Sequence, residues 1–278
     1  MVAGAQGIVM VSGLNAPPGP GSLLKVAGET QVGIGGPGIV QLDAEAFMEN
    51  NGDMKIGLDS GNPSGSVNVH SGSFIRVHGI LSVGASGIGL LNILGSPNAS
   101  PSGVRCDTLL VGGDTSGATG IIVASFVSQS TPVPLFSHLT VDGNAQVGVS
   151  SGRGEILLAD ASGRLTINRT LTIGNPNGGP GGGAVALVDA TIDGTGNIVV
   201  NKNGSLIGTG TVSVPHLSTG GRISIAPSGA PSPNAAAATK VNADGHIAAL
   251  LSPRTLTIEG NYEQIPTGVL VIEYAGEN

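Results

Sequence analysis

A three-residue phrase returns along this chain at a nearly even pace: Leu or Met, any residue, then Val or Ile, usually closed by Gly. It reads Leu24-Lys25-Val26, Met54-Lys55-Ile56-Gly57, Leu81-Ser82-Val83-Gly84, Leu109-Leu110-Val111-Gly112, Leu139-Thr140-Val141 and Leu171-Thr172-Ile173-Gly174. Successive first residues are 30, 27, 28, 30 and 32 positions apart. A period near thirty is too long for a hairpin and is the mark of stacked repeats.

Each interval holds a second alternating run: Ile39-Val40-Gln41-Leu42, Val67-Asn68-Val69, Leu91-Asn92-Ile93, Ile121-Ile122-Val123, Ile156-Leu157-Leu158 and Val185-Ala186-Leu187. A third often precedes the next phrase, as Phe74-Ile75-Arg76-Val77, Leu165-Thr166-Ile167 and Ala190-Thr191-Ile192. Three strands of about five residues and their turns consume such a period. The fold class expected is therefore all-β: a right-handed parallel β-helix (β-solenoid) with three short strands per coil of about 30 residues. A β-sandwich is the rival, since it too has short strands at close spacing. The long period favours the solenoid, because like strands can then lie above their copies. So does the variation in turn length, which belongs at coil corners. Alternation puts Leu24 and Val26 inward and Lys25 outward. The sharpest expectation is that Val83 and Val111 are neighbours on adjoining coils.

Composition fits a narrow aliphatic core. Gly supplies 48 of 278 residues, aromatics 2% and charged residues 10%. Disordered chains are charge-rich and poor in β-branched residues, so the composition argues against disorder. A net charge of -7, with eleven Lys and Arg that never cluster in sequence, opposes nucleic acid and anionic lipid. No stretch of 18 apolar residues exists to span a membrane as a helix. The opening Met1-Val2-Ala3-Gly4-Ala5-Gln6-Gly7-Ile8-Val9-Met10 lacks the basic start and apolar run of a signal peptide, and reads as the interior of a longer text. Cys106 is the only cysteine and reads as a small core hydrophobe.

The chain divides into an N-terminal segment or cap (1–22), solenoid coils (23–226), a Pro/Ala/Ser-rich excursion loop (227–253) and a terminal coil (254–278). Helical pattern is scarce. Asp43 to Asn50 allows a turn or two of helix with Asp43 as N-cap, or a loop or bulged strand. The Ala run from Asn234 to Lys240 is a second short helix candidate.

Leu81-Ser82-Val83-Gly84-Ala85-Ser86-Gly87-Ile88-Gly89-Leu90-Leu91-Asn92-Ile93 resembles the unit of the autotransporter-associated β-strand repeat and of related passenger-type bacterial adhesins. Leu110-Val111-Gly112-Gly113 with Gly117-Ala118-Thr119-Gly120-Ile121-Ile122-Val123 is similar to it again. Ile225-Ala226-Pro227 followed by Ser252-Pro253-Arg254-Thr255-Leu256-Thr257-Ile258-Glu259-Gly260-Asn261-Tyr262-Glu263-Gln264 looks like the phrase that closes such passengers. The chain departs from that phrase in the insert between Pro227 and Ser252 and in Arg254, where the family has Gly. The resemblance covers about residues 50–278 and implies a parallel β-helix displayed outside a bacterial cell. Its export route is left open, since no anchoring barrel is present in this sequence.

Catalytic β-solenoids act mostly on polysaccharides, and glycoside hydrolysis needs two carboxylates across one cleft. The candidates are Asp114, Asp142, Asp160, Asp189 and Asp193, each also readable as a turn residue. A hydrolase predicts that three or more of these and Asp107 share one groove. A lyase would want an acidic Ca²⁺ cluster beside an Arg. Arg153 and Arg164 flank Glu155 and Asp160 without one. His70, His78, His138, His216 and His246 are scattered and read as surface or turn residues. Gly178 to Gly183 lacks the phosphate-loop sequence, and no Ser elbow precedes a helix. Thr-x-Thr pairs do not recur at the coil period that an ice-binding face needs. The sequons at Asn98, Asn168 and Asn203 are expected by chance in so Asn- and Ser-rich a chain.

The reading is a non-catalytic structural or adhesive module, extracellular or at the cell surface, with no cofactor and no metal. Its partners would be surface glycans, surface proteins or its own copies. A polysaccharide-active lyase or hydrolase is the alternative, and a phage or particle fibre segment a further one.

Overall fold

The computed structural model describes residues 7–12, 21–58, 64–96, 100–126, 137–224 and 255–271. Within them the chain is all-β, with 22 strands joined in one sheet and no helix. The first circuit is β1 (Gly7–Ser12), β2 (Leu23–Val26) and β3 (Thr30–Val32), and the second is β4 (Gly38–Asp43), β5 (Phe47–Asn50) and β6 (Met54–Ile56). β7 (Ser64–His70) and β8 (Phe74–Val83) make the third, with β8 bending across two sides. β9 (Ile88–Gly95) and β10 (Ser102–Val111) repeat that arrangement. Next come β11 (Thr119–Phe126), β12 (Ser137–Val141) and β13 (Ala145–Val147), then β14 (Arg153–Ala159), β15 (Gly163–Ile167) and β16 (Thr170–Ile173). β17 (Gly182–Asp193) with β18 (Asn197–Val200) forms one circuit, and β19 (Gly204–Thr219) forms a whole one by itself. β20 (Arg222–Ser224), β21 (Leu256–Gln264) and β22 (Val269–Val271) complete the described stack.

Each strand pairs in parallel with its counterparts one circuit before and after, so the fold is a parallel β-helix with three ladders. Ladder A runs β1, β4, β7, β9, β11, β14 and onward to β22. Ladder B runs β2, β5, the first half of β8 and of β10, β12, β15 and onward. Ladder C runs β3, β6, the second halves of β8 and β10, β13, β16 and β18. Val83 and Val111 are register partners in ladder C, as the repeat requires.

The register corrects two of the six phrases. Leu24-Lys25-Val26 and Leu139-Thr140-Val141 lie in ladder B, beside Met48–Asn50 and Leu165–Ile167 respectively. The true ladder C series starts at Thr30, Met54, Leu81, Leu109, Ala145, Leu171 and Ile198. Residues Asp43 to Asn50 are not helical. Ala44 and Glu45 turn with φ of 55° and 62°, and the chain re-enters ladder B as β5. Asp43 Oδ1 accepts the Ala44 N–H at 2.8 Å, a local hold on that turn rather than a helix cap. The candidate helix 234–240 and the excursion loop 227–253 lie outside the described residues. β1 falls within 1–22 and is already paired in ladder A.

What the closing Gly of the phrase does is now visible. Gly33, Gly57, Gly84, Gly112, Gly148 and Gly174 follow ladder C strands and all have φ between 61° and 82°, where a Cβ is costly. From the second circuit on, each donates its N–H to the carbonyl one rung below: Gly57 to Val32, Gly84 to Ile56, Gly112 to Val83, Gly148 to Val111 and Gly174 to Val147, at 2.8–2.9 Å. Across the corner a second glycine column opens ladder A: Gly7, Gly38, Gly65, Gly89, Gly120, Gly154, Gly183 and Gly204, all in register. The corner is backbone on backbone, so these coils place two glycines there; after β18 Asn201 takes the first position and makes the same bond, to the Ile173 carbonyl at 2.8 Å.

Alternate residues of all three ladders point inward and stack into one aliphatic core, with Leu42, Ile56, Ile93, Leu109, Leu139 and Leu165 fully buried. Burial of each such side chain is worth about 1.5–3 kcal/mol before entropy is counted. Cys106 belongs to this core, and burial pushes its thiol pKa far up, as expected for a structural cysteine. At the corner between ladders A and B, buried serines replace the glycines. Ser73 Oγ accepts the Ala46 N–H, Ser102 Oγ the Gly72 N–H and Ser137 Oγ the Gly95 N–H, at 2.9–3.1 Å. Asn50 is the one wholly buried amide among the described residues. It accepts from Thr30 and donates to the Gly52 and Asp53 carbonyls, closing the turn into β6.

Candidate functional site

Ladder C carries its outward side chains in one column, and four of them, Lys55, Ser82, Leu110 and Gln146, are successive register partners. They floor a groove of about 450 Å³ that follows the coil axis. The loops leaving ladder C form one wall, with Ala85, Ser86, Asp114 and Ser150 on it. Asp53 and Ile80, from the corner between ladders B and C, form the other. The volume is in the range of small-molecule and oligomer sites. Ser82 is only 8% exposed although it points outward, because those walls rise beside it.

The groove's polar groups differ in what they already hold. Asp53 Oδ1 accepts the Ile80 N–H at 2.9 Å, and Lys55 pairs with Glu29 at 3.0 Å. The side chains of Ser82, Asp114 and Gln146 take part in no hydrogen bond or ion pair among the described residues. Of the six carboxylates, three or more of which a hydrolase would gather in one groove, Asp114 alone lines this one.

Asp107 and Asp142 meet elsewhere, at the corner between ladders B and C on adjacent rungs. Arg76 bridges them, its two terminal nitrogens 2.6 Å from Asp107 Oδ1 and 2.8 Å from Asp142 Oδ2. Arg105 lies on the rung between, in register with Arg76, and donates Nε to Asp142 at 2.9 Å. Asn168 adds a further donor to Asp142 at 3.2 Å. The basic residues that never cluster in sequence do so here. Arg105, with Arg76 behind it, holds the Asp142 carboxyl below the usual carboxylate range, and Asp142 in turn raises Arg105.

The sign of that shift predicts a pH dependence. A carboxylate whose pKa is lowered by folding contributes stability above its unfolded value, near 3.9, and loses it as pH falls through the folded value. Arg105→Gln should therefore cost about 0.5 kcal/mol at pH 7, the scale of an exposed pair. That difference should shrink toward zero as Asp142 protonates in both proteins, and ¹³C NMR should find Asp142 titrating higher in the variant. A difference unchanged from pH 7 to pH 2 would contradict the assignment.

The remaining candidates are spent on the scaffold. Asp160 and Asp189 follow the register partners Ala159 and Val188, so they stack at the corner between ladders A and B. Both have positive φ, 92° and 56°, and serve as turn residues. Asp160 accepts the Ser162 N–H at 2.8 Å and Asp189 accepts the Thr209 hydroxyl at 2.8 Å. Asp193 points outward from ladder B, where it accepts from Thr166 at 2.7 Å and pairs with Arg164. Arg153 pairs with Glu155. His70 and His138 are half-buried rather than surface residues, and desolvation lowers both pKa values. His78 and His216 lie near Glu49 and Glu263 at 3.5 and 3.2 Å, and His246 lies outside the described residues. Among the described residues no three His, Cys, Asp or Glu converge on a possible metal position, and no helix is long and apolar enough to cross a membrane.

Sequence reasoning found Asp114 but missed the groove and the Arg76–Arg105 pair. Both depend on which phrase lies in which ladder, and the signal for that was the Gly after the phrase. Comparison with protein-family models, with curated proteins and with solved structures returned no match.

Proposed function

We propose that this chain is a non-catalytic structural or adhesive β-solenoid module of a bacterial surface or secreted protein, recognising surface glycans through its outer faces. The observation that carries the reading is the use to which its carboxylates are put. Asp107 and Asp142, the pair on adjacent rungs, share one guanidinium, and Asp142 is held ionised. A glycosidase acid must instead keep its proton near neutral pH, which needs a raised pKa. A lyase using Arg as base needs an arginine free of carboxylate partners, whereas Arg76 and Arg105 pair with Asp142, Arg153 with Glu155 and Arg164 with Asp193. Most of these pairs tie rungs together. A rigid rod with variable corner loops and an axial groove of uncommitted polar groups suits recognition.

The test has two arms run on the same preparation. Beads coated with the protein should adhere to wells bearing bacterial and host cell-surface glycans. Incubation with soluble polysaccharides should release no reducing ends and no unsaturated sugars beyond a heat-denatured control. Product release above that control, or beads that fail to adhere to every surface, would sink the reading.

A further inference from the structure

We infer that the ladder C groove is the recognition site, and that it takes an unbranched stretch of a neutral polysaccharide lying along the coil axis; this rests on the adhesive reading above. The first ground is geometric. Lys55, Ser82, Leu110 and Gln146 repeat at the rung spacing, about 4.8 Å, which is close to the advance of an extended pyranose chain per sugar. Their column is three rung spacings long, so about three sugars span it.

The second ground is which groups remain uncommitted. Ser82, Asp114 and Gln146 offer a hydroxyl, a carboxylate and an amide with no internal partner among the described residues, the donors and acceptors that sugar hydroxyls require. Leu110 and Ile80 give apolar surface to the C–H faces of the rings. An extended peptide suits the floor poorly. Strand addition needs an open sheet edge, and the ladder C strands along this floor are paired on both sides.

The third ground is charge, and it selects among glycans. The groove holds two carboxylates, Asp53 and Asp114, against one ammonium, Lys55, which already faces Glu29. The chain as a whole carries -7. Uronate and sulfated polymers would meet repulsion with no uncommitted basic group to receive them. Neutral hexose or pentose chains would not.

The experiment titrates the protein, by calorimetry and amide NMR, with neutral gluco-, xylo- and manno-oligosaccharides of three to six units. Oligogalacturonates and heparin-derived fragments form the opposing arm. At least one neutral series should bind, and the anionic series should not. Leu110→Asp replaces the apolar floor by a carboxylate and should weaken that binding at least about tenfold, with the amide spectrum of distant rungs unchanged. Asp114→Ala with Gln146→Ala removes two exposed hydrogen-bonding groups and should weaken it about tenfold. Absence of any neutral binding, tighter anionic binding, or full binding by Leu110→Asp would each overturn the inference. Beads coated with Leu110→Asp should lose adhesion. If they still adhere, the groove is not the recognition site and the adhesive reading stands; if wild-type beads never adhere, that reading fails while the titration judges the groove by itself.

Discussion

Gly120→Ala will destabilise the rod by about 3 kcal/mol, the upper end of what overpacking costs. Gly120 has no left-handed φ, so strain is not the cause. A Cβ there would sit 2.0 Å from the Val83 carbonyl oxygen and 2.5 Å from the Gly112 nitrogen. Those two atoms are partners in a 2.9 Å hydrogen bond that joins successive rungs. The methyl is therefore driven into the bond itself, and both groups are backbone, with no rotamer to move aside. Gly117→Ala, three residues earlier, meets nothing within 4 Å and should be neutral or stabilising by about 0.5 kcal/mol through the unfolded state. Stacked repeats need not unfold in one step, so the reading should come from amide exchange as well as from the denaturation midpoint. The Gly112 N–H should lose protection in the Gly120→Ala variant before strands several rungs away do. If Gly120→Ala lies within about 0.5 kcal/mol of wild type, the backbone-on-backbone account of this corner is wrong.

That corner also explains how much of the fold could be read in advance. The phrase Leu-x-Val marks any inward-outward-inward strand, and ladders B and C both need one. Among these phrases the following Gly separates them, because at the corner between ladders C and A the residue after the strand turns with a φ of 61–82°. Val83-Gly84 and Val111-Gly112 carry it, whereas Val26-Ala27 and Val141-Asp142 do not. Spacing alone merged the two ladders, since an interval that gains loop residues at one corner can mimic a whole period. The step from Leu109 to its true partner Ala145 spans 36 residues and includes residues 127–136, between β11 and β12. Asp43 to Asn50 misled for a different reason. Asp, Ala and Glu are good helix-start residues, but Ala44 and Glu45 take positive φ because the coil must turn there. The Arg76, Arg105, Asp107 and Asp142 group was illegible in sequence. It spans three rungs, and its members become neighbours only once register is fixed.

Leu139→Ala should cost about 3 kcal/mol, the usual loss for a leucine removed from a rigid core. Leu139 is fully buried in ladder B, stacked between Val104 on one rung and Leu165 on the next. Because each coil contacts chiefly its immediate neighbours, the damage should be local. Amides of β10, β12 and β15 should exchange faster, while those of β5 and β6, further along the stack, keep their wild-type rates. The column arrangement makes a further demand. Volume removed from one rung can be returned on the rung beside it, as it could not be in a core built from unrelated side chains. Val104→Leu alone should overpack and cost about 1 kcal/mol or more, and Leu139→Val alone should cost about 1 kcal/mol. Together they only shift one methylene along the column from rung to rung. The double variant should therefore be more stable than the sum of the single effects implies, by about 1 kcal/mol. Additivity within about 0.3 kcal/mol would mean that the two side chains do not share one space, and the stacked-column description of the core would have to be abandoned at this position.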